Sequence, residues 1–157
     1  MTDRDIRSFQ RTWLPVLAWT AIVWMLGGDG FSETQTSRLL GPLLDWLLPG
    51  ISPDHRLTLR WLIRLSAHPV VYGIEAVLVG RALRQHFPSF GGAKLAALTL
   101  TACAVLAGAD EIRQWGSNVR EGSPIGVGLG LLGASIAVAG MNRLERRRGR
   151  LLFGPHP

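Results

Sequence analysis

The chain has 157 residues, 47% of them hydrophobic, and a formal net charge of +6; sixteen of its 17 basic residues are arginine, Lys94 being the exception. In a soluble protein that charge would raise nucleic acid as a partner, but here the apolar residues come in blocks that read as membrane spans, not in amphipathic patterns. The single cysteine, Cys103, lies inside an apolar run, which excludes an intramolecular disulfide framework and a thiolate metal site and leaves a small buried residue.

Residues 1–12 are polar and carry Arg4, Arg7 and Arg11 ahead of Trp13–Gly28, a run without charge that is predicted as the first span. Its length, about 24 Å at about 1.5 Å per residue, approaches a ~30 Å hydrocarbon core once flanking residues are counted. Trp19, Trp24 and the Gly27-Gly28-Asp29 exit make a poor cleavage site, so the run reads as an uncleaved anchor and not a signal peptide. A polar link follows. Leu39, Leu40, Leu43, Leu44, Leu47 and Leu48 then share one helical face, closed by Pro49 and Gly50. At about a dozen residues this helix is too short to span, and it is expected in the interface plane or folded back on the bundle, with Arg38, Asp45 and Trp46 at headgroup depth.

The second span is predicted over Leu57–Arg84, with Arg64, His68, Tyr72 and Glu75 on one face, since steps of four, four and three stay near whole turns. A polar stripe on a membrane helix must face protein or water. Pro69 either kinks this helix or begins a new one; from Pro69 to Ala82 is too short to cross alone, which favours one kinked helix. Residues 85–93 form a turn, and Lys94 opens a third span, Leu95–Ala109, with Gly116, Ser117 and Asn118 as its stop. The fourth span, Ile125–Met141, repeats Gly126, Gly130 and Ala134 at four-residue steps, as well as Gly133 and Ala137, a spacing that permits close helix contact.

The expected fold is therefore all-α, an integral membrane bundle of four transmembrane helices with a short interfacial helix between the first and second. Its parts are a cytoplasmic segment 1–12, a transmembrane domain 13–141 and a basic cytoplasmic tail 142–157. Placing both termini in the cytoplasm puts Arg4, Arg7, Arg11, Arg81, Arg84, Lys94, Arg143, Arg146, Arg147, Arg148 and Arg150 inside, 11 of the 17 basic residues. That bias follows the positive-inside rule and accounts for the tail by topology and anionic lipid, without nucleic acid. His68 and the stretch 110–123 then share the extracytoplasmic end.

Chemistry concentrates in that stretch. Asp110 and Glu111 are adjacent, Gln114 follows within a helical turn, and Arg120 and Ser123 lie just beyond. Carboxylates at the C-terminal end of a helix oppose its dipole unless a cation or proton compensates. His68, Asp110 and Glu111 form a candidate acid and base set, Gln114 a neutral hydrogen-bonder, and Arg64 and Arg120 a grip for phosphate or carboxylate. Glu75 lies deepest in a span, and a polar cavity between the second and third spans would account for it. The alternative is that these groups pair only among themselves to hold the helices. A metal is not expected, because His68 is the only well-placed histidine and no ligand spacing demands one; no cofactor is expected either.

His68, Tyr72, then Asp110-Glu111-x-x-Gln114, then Arg120-x-Gly122-Ser123, with Gly133 in the last span, together resemble the VanZ-like family of small bacterial membrane proteins. The resemblance covers most of the chain and implies a four-span protein of the bacterial cytoplasmic membrane, in a family linked to glycopeptide (teicoplanin) resistance. The chain departs from the pattern in having Leu65 where a lysine is usual and Pro69 where an aromatic is usual. Gly126 and Gly130 stand where the family has aspartate and asparagine. Two functions follow as expectations. In the first, the protein binds or processes an anionic envelope lipid or lipid-linked glycan precursor at the outer face. In the second, it is a non-catalytic accessory subunit packed against a larger membrane protein complex through the glycine-rich span or the leucine helix.

Overall fold

The computed structural model describes residues 3–27, 41–116 and 124–147, with the side chains of all of these except 3–5, 64 and 145–147. They form α1 (Asp3–Leu26), a short α2 (41–47), α3 (Pro53–His86), α4 (Gly92–Trp115) and α5 (Pro124–Arg147); no strand occurs among the described residues. Local chemistry sets the boundaries. Gly50 takes a φ of +89°, a left-handed conformation that ends the segment after α2 and that side chains resist. Ser52 then caps α3 by accepting from the His55 N–H, Pro53 supplies a pre-set φ, and Asp54 places negative charge in the first turn. Phe87 and Phe90 stack at 4.9 Å in the α3–α4 turn, and Lys94 lies 3.7 Å over the Phe90 ring.

Several boundaries differ from the sequence reading. Residues 3–12 are helical and continuous with the first apolar run, so α1 begins well ahead of Trp13. α3 is one continuous helix through Pro69, longer at both ends than Leu57–Arg84 because the Ser52-Pro53-Asp54 cap starts it early. α4 ends at Gly116, the stop read from the sequence, so its last turns extend past the apolar run Leu95–Ala109 and carry Asp110, Glu111 and Gln114. Of the six leucines assigned to one face, Leu44 is buried while Leu43, Leu47 and Leu48 are exposed; Leu39 and Leu40 fall outside the described residues. α2 is tied to α3 by an Asp45–Arg56 ion pair of 2.6 Å.

α3 is the central helix: α1, α4 and α5 all pack on it, and α4 and α5 also pack on each other. Trp13 lies against His86 at one end of α1, and a Thr20–Glu75 hydrogen bond follows further along, so α1 and α3 run in opposite directions. His68 faces Gly126 and Tyr72 faces Gly130, so α3 and α5 run parallel. One apolar core joins Ala76, Leu95, Cys103, Ala134 and Val138 among α3, α4 and α5; a second joins Val16 of α1 to Val79 and Ala82.

Among the described residues, three helices are long and apolar enough to cross a membrane: Pro53–His86, Gly92–Trp115 and Pro124–Leu144. The chain is accordingly a multi-pass membrane protein. Only 24–28% of each apolar window is buried inside the chain, which leaves Val105, Ile112, Leu132 and Ile136 on outward surfaces suited to lipid. α1 is less apolar, its run diluted by Thr12, Pro15 and Thr20 and built on Trp13, Trp19 and Trp24.

Candidate functional site

The periodicity of α3 aims His68, Tyr72 and Glu75 into the bundle: Tyr72 and Glu75 are buried at 4% and 1% exposure, and His68 is half-buried. The end of α4 answers from the other side, with Asp110, Glu111 and Gln114 all buried. Both sets lie at the end of the bundle opposite the N-terminal aromatic contacts of Phe9 and Trp13 with His86.

His68 and Glu111 converge on α5 where it has no side chain. A Cβ built on Gly126 would stand 3.0 Å from His68 Nε2 and 3.3 Å from Glu111 Oε1. An imidazole and a carboxylate, from two different helices, therefore border one bare stretch of a third. One turn on, Tyr72 fills the space over Gly130, where a Cβ would stand 2.7 Å from its Cδ2. A further turn on, Gly133 meets the Pro69 backbone, and its own carbonyl lies 3.4 Å from a Cβ built on Gly73. Ala134 is buried in the core beside this seam. The small-residue stripe of the last span, Gly126, Gly130 and Gly133, is thus occupied by α3 of the same chain. The aspartate and asparagine that the family resemblance leads one to expect at 126 and 130 would collide with His68 and Tyr72 in this arrangement.

Asp110 is held differently. Arg113 donates to Oδ1 at 2.5 Å and Gln114 to Oδ2 at 2.8 Å, so both oxygens are satisfied within one helical turn. Arg113 supplies the cation that a carboxylate at a helix C-terminus requires, and it stacks 4.7 Å over the Trp24 ring. α1 approaches this pair through Gly27: a Cβ there would meet Asp110 and Arg113 side-chain atoms.

Deeper, Glu75 Oε1 accepts from the Thr20 hydroxyl at 2.9 Å. A charged carboxylate at such depth costs about 2.5–3.5 kcal/mol on insertion scales, so its surroundings must compensate it. A cavity of about 10 Å³ lies beside it, walled by Thr20, Trp24, Tyr72, Glu75 and Asp110 among others. It is bounded by α1 as well as by α3 and α4.

Of the residues singled out from the sequence, His68, Tyr72, Glu75, Asp110, Glu111 and Gln114 gather at this end of the bundle. The Arg64 side chain, Arg120 and Ser123 fall outside the described residues. The sequence reading missed Arg113, Thr20, Trp24 and Gly27. Arg113 was findable from its i+3 spacing to Asp110; the other three depend on the register of α1 against α3 and α4, for which no local signal exists. Cys103, at 0% exposure in the apolar core, is placed for packing and not for nucleophilic chemistry. Among the described residues no three His, Cys, Asp or Glu side chains converge as a metal set.

These features define a multi-pass helical membrane protein whose buried polar groups cluster toward one end of its bundle. No family model, curated protein or solved structure matches the chain.

Proposed function

We propose that the protein is a four-span, VanZ-like component of a bacterial cytoplasmic membrane that binds or processes an anionic envelope lipid or lipid-linked glycan precursor at its extracytoplasmic end. The observation that carries this reading is the convergence of His68 and Glu111 on the bare face of Gly126. An imidazole and a carboxylate brought together from separate helices are the groups needed to accept or deliver a proton on a bound headgroup. Arg64 and Arg120, adjoining that end in sequence, are the candidate phosphate ligands. The topology that supports an outward-facing site counts α1 as the fourth crossing. Its 24 residues extend about 36 Å, and its contacts reach from His86 at one end of α3 to Asp110 at the far end of α4.

The test is gentle extraction of wild-type protein, His68→Ala, Glu111→Gln and Arg120→Ala, followed by native mass spectrometry of co-purified lipid. Wild type is expected to carry an anionic lipid or glycan phosphate that the three variants lose. Equal retention in all four would leave the cluster a purely structural one and end this reading. A fixed set of larger subunits, indifferent to these changes, would instead favour the accessory role.

A further inference from the structure

Glu75 sits in the middle of α3 at 1% exposure, where α1 and α4 close over it. Its Oε1 accepts from the Thr20 hydroxyl at 2.9 Å, while Oε2 is buried and has no hydrogen-bond partner among the described residues. The carboxyl makes no ion pair among those residues either. The cavity of about 10 Å³ beside it is walled mainly by Val23, Trp24 and Leu106, with Thr20, Tyr72 and Asp110 as its other neighbours.

The groups around Glu75 decide its charge. From α1 it faces the neutral Thr20 hydroxyl and the Trp24 ring. Its own helix brings Tyr72, and α4 brings Cys103 and Asp110. Both Asp110 oxygens are taken by Arg113 and Gln114, so that guanidinium is already matched. α5 turns Gly130, Gly133 and Ala134 toward this part of α3 and brings no charge, while His68 and Glu111 lie further out, around Gly126. An anionic Glu75 would stand in apolar surroundings with one hydroxyl for compensation, which costs far more than leaving a neutral group unpaired. A water molecule in the cavity would meet few polar partners and would not remove the charge. A proton on Oε2 removes the charge and leaves the Thr20 bond in place.

We propose that Glu75 is a proton-binding site that latches α1 onto α3. With the proton bound, the neutral carboxyl lies against Thr20, and Trp19 holds the neighbouring turn by donating to the Val71 carbonyl at 3.1 Å. When the proton leaves to water, the carboxylate is stable only where water reaches it. Val16, Val79 and Ala82 close the seam toward the N-terminus, so α1 lifts from the Gly27–Asp110 side. Closed α1 thus binds one proton more than open α1, and the closed form loses stability as pH rises. The latch stands apart from the lipid reading, since His68, Glu111 and Arg120 take no part in it.

The test is amide hydrogen exchange of the full chain in detergent from about pH 5 to about pH 9, the range in which buried glutamates give up their protons, with rates corrected for the intrinsic effect of pH. In wild type, protection of α1 is expected to fall about tenfold per pH unit, one proton being released per opening, until closed α1 also gives up its proton. Glu75→Gln keeps the carbonyl and carries no charge, and is expected to hold α1 protection constant across the range. Constant protection in wild type would overturn the proposal, as would the same fall in Glu75→Gln, which would assign it to another titrating group. If Glu75→Gln does not fold, infrared spectroscopy carries the test. Wild type at neutral pH is expected to show the carbonyl band of a protonated carboxylic acid, moved to higher frequency in Thr20→Val, where Oε1 has lost its donor. No such band, or a band that Thr20→Val leaves in place, would overturn the latch.

Discussion

Along α5, α3 meets a helix that presents glycine at three contact positions: Gly126, Gly130 and Gly133 lie against His68, Tyr72 and the backbone of Pro69. Along α1, it meets a helix that reaches across with polar groups, Trp19 Nε1 donating to the Val71 carbonyl at 3.1 Å and the Thr20 hydroxyl to Glu75 at 2.9 Å. The first seam is held by close approach, which in lipid must come from packing because no water is expelled when apolar surfaces meet. The second adds hydrogen bonds that fix register to the apolar contact of Val16 with Val79 and Ala82, and leaves a cavity beside Glu75. The difference places the Glu75 carboxylate and the cavity beside it on the α1 side.

The largest effect that would break this comparison is expected at Gly133→Ala. The new methyl would meet Pro69 O, Cα and C, all backbone atoms that cannot rotate aside, so α3 and α5 must separate. The expected loss is about 3 kcal/mol, at the upper end of overpacking costs, read as lowered resistance to unfolding in detergent. A loss below about 0.5 kcal/mol, the size of a neutral surface change, would mean that the seam is looser than its geometry and that the contrast with α1 fails.

On the α1 side a smaller and more local effect is expected. Trp19→Phe keeps the ring but removes the N–H that bonds the Val71 carbonyl, a loss of about 0.6–1 kcal/mol for a hydrogen bond between membrane helices. Amide hydrogen exchange sharpens the comparison: protection should fall in α1 while α4 and α5 stay as in wild type. Loosening that spreads equally through α5 would show that the two seams act as one cooperative unit.

How much of this was legible in the sequence differs between the same two seams. The glycine stripe was visible at 126, 130 and 133, because small residues at helical spacing have one physical use in an apolar helix. Its partner was not visible, since nothing in the spacing distinguishes α3 of the same chain from another subunit. The inward face of α3 was legible from His68, Tyr72 and Glu75, because a polar group in a span must avoid lipid. The α1 seam was nearly unreadable. Thr20 and Gly27 look like ordinary small residues of a span, and only the long-range register brings them to Glu75 and Asp110. Arg113 is a different case. Its i+3 relation to Asp110 is local information, legible in the sequence. The early start of α3 is likewise written in Ser52-Pro53-Asp54, a cap sequence that lies between Gly50 and the expected start at Leu57.

The smallest predicted effect is the control that gives the others meaning. Gly128 belongs to the same glycine-rich helix, but a Cβ built on it meets nothing within 4 Å, and the residue is exposed on the outer face of α5. If glycine in α5 served only helix flexibility, Gly128→Ala and Gly133→Ala would have similar consequences. If it serves close approach, only the seam positions are sensitive. At 128, alanine should then be neutral or add up to about 1 kcal/mol, the propensity difference between the two residues in a helix interior. Side-by-side unfolding of the two variants reads that difference directly. Should Gly128→Ala destabilise as much as Gly133→Ala, the outer face of α5 would have to be packed against something in the membrane, and the accessory reading would regain the contact surface that α3 has taken from the glycine stripe.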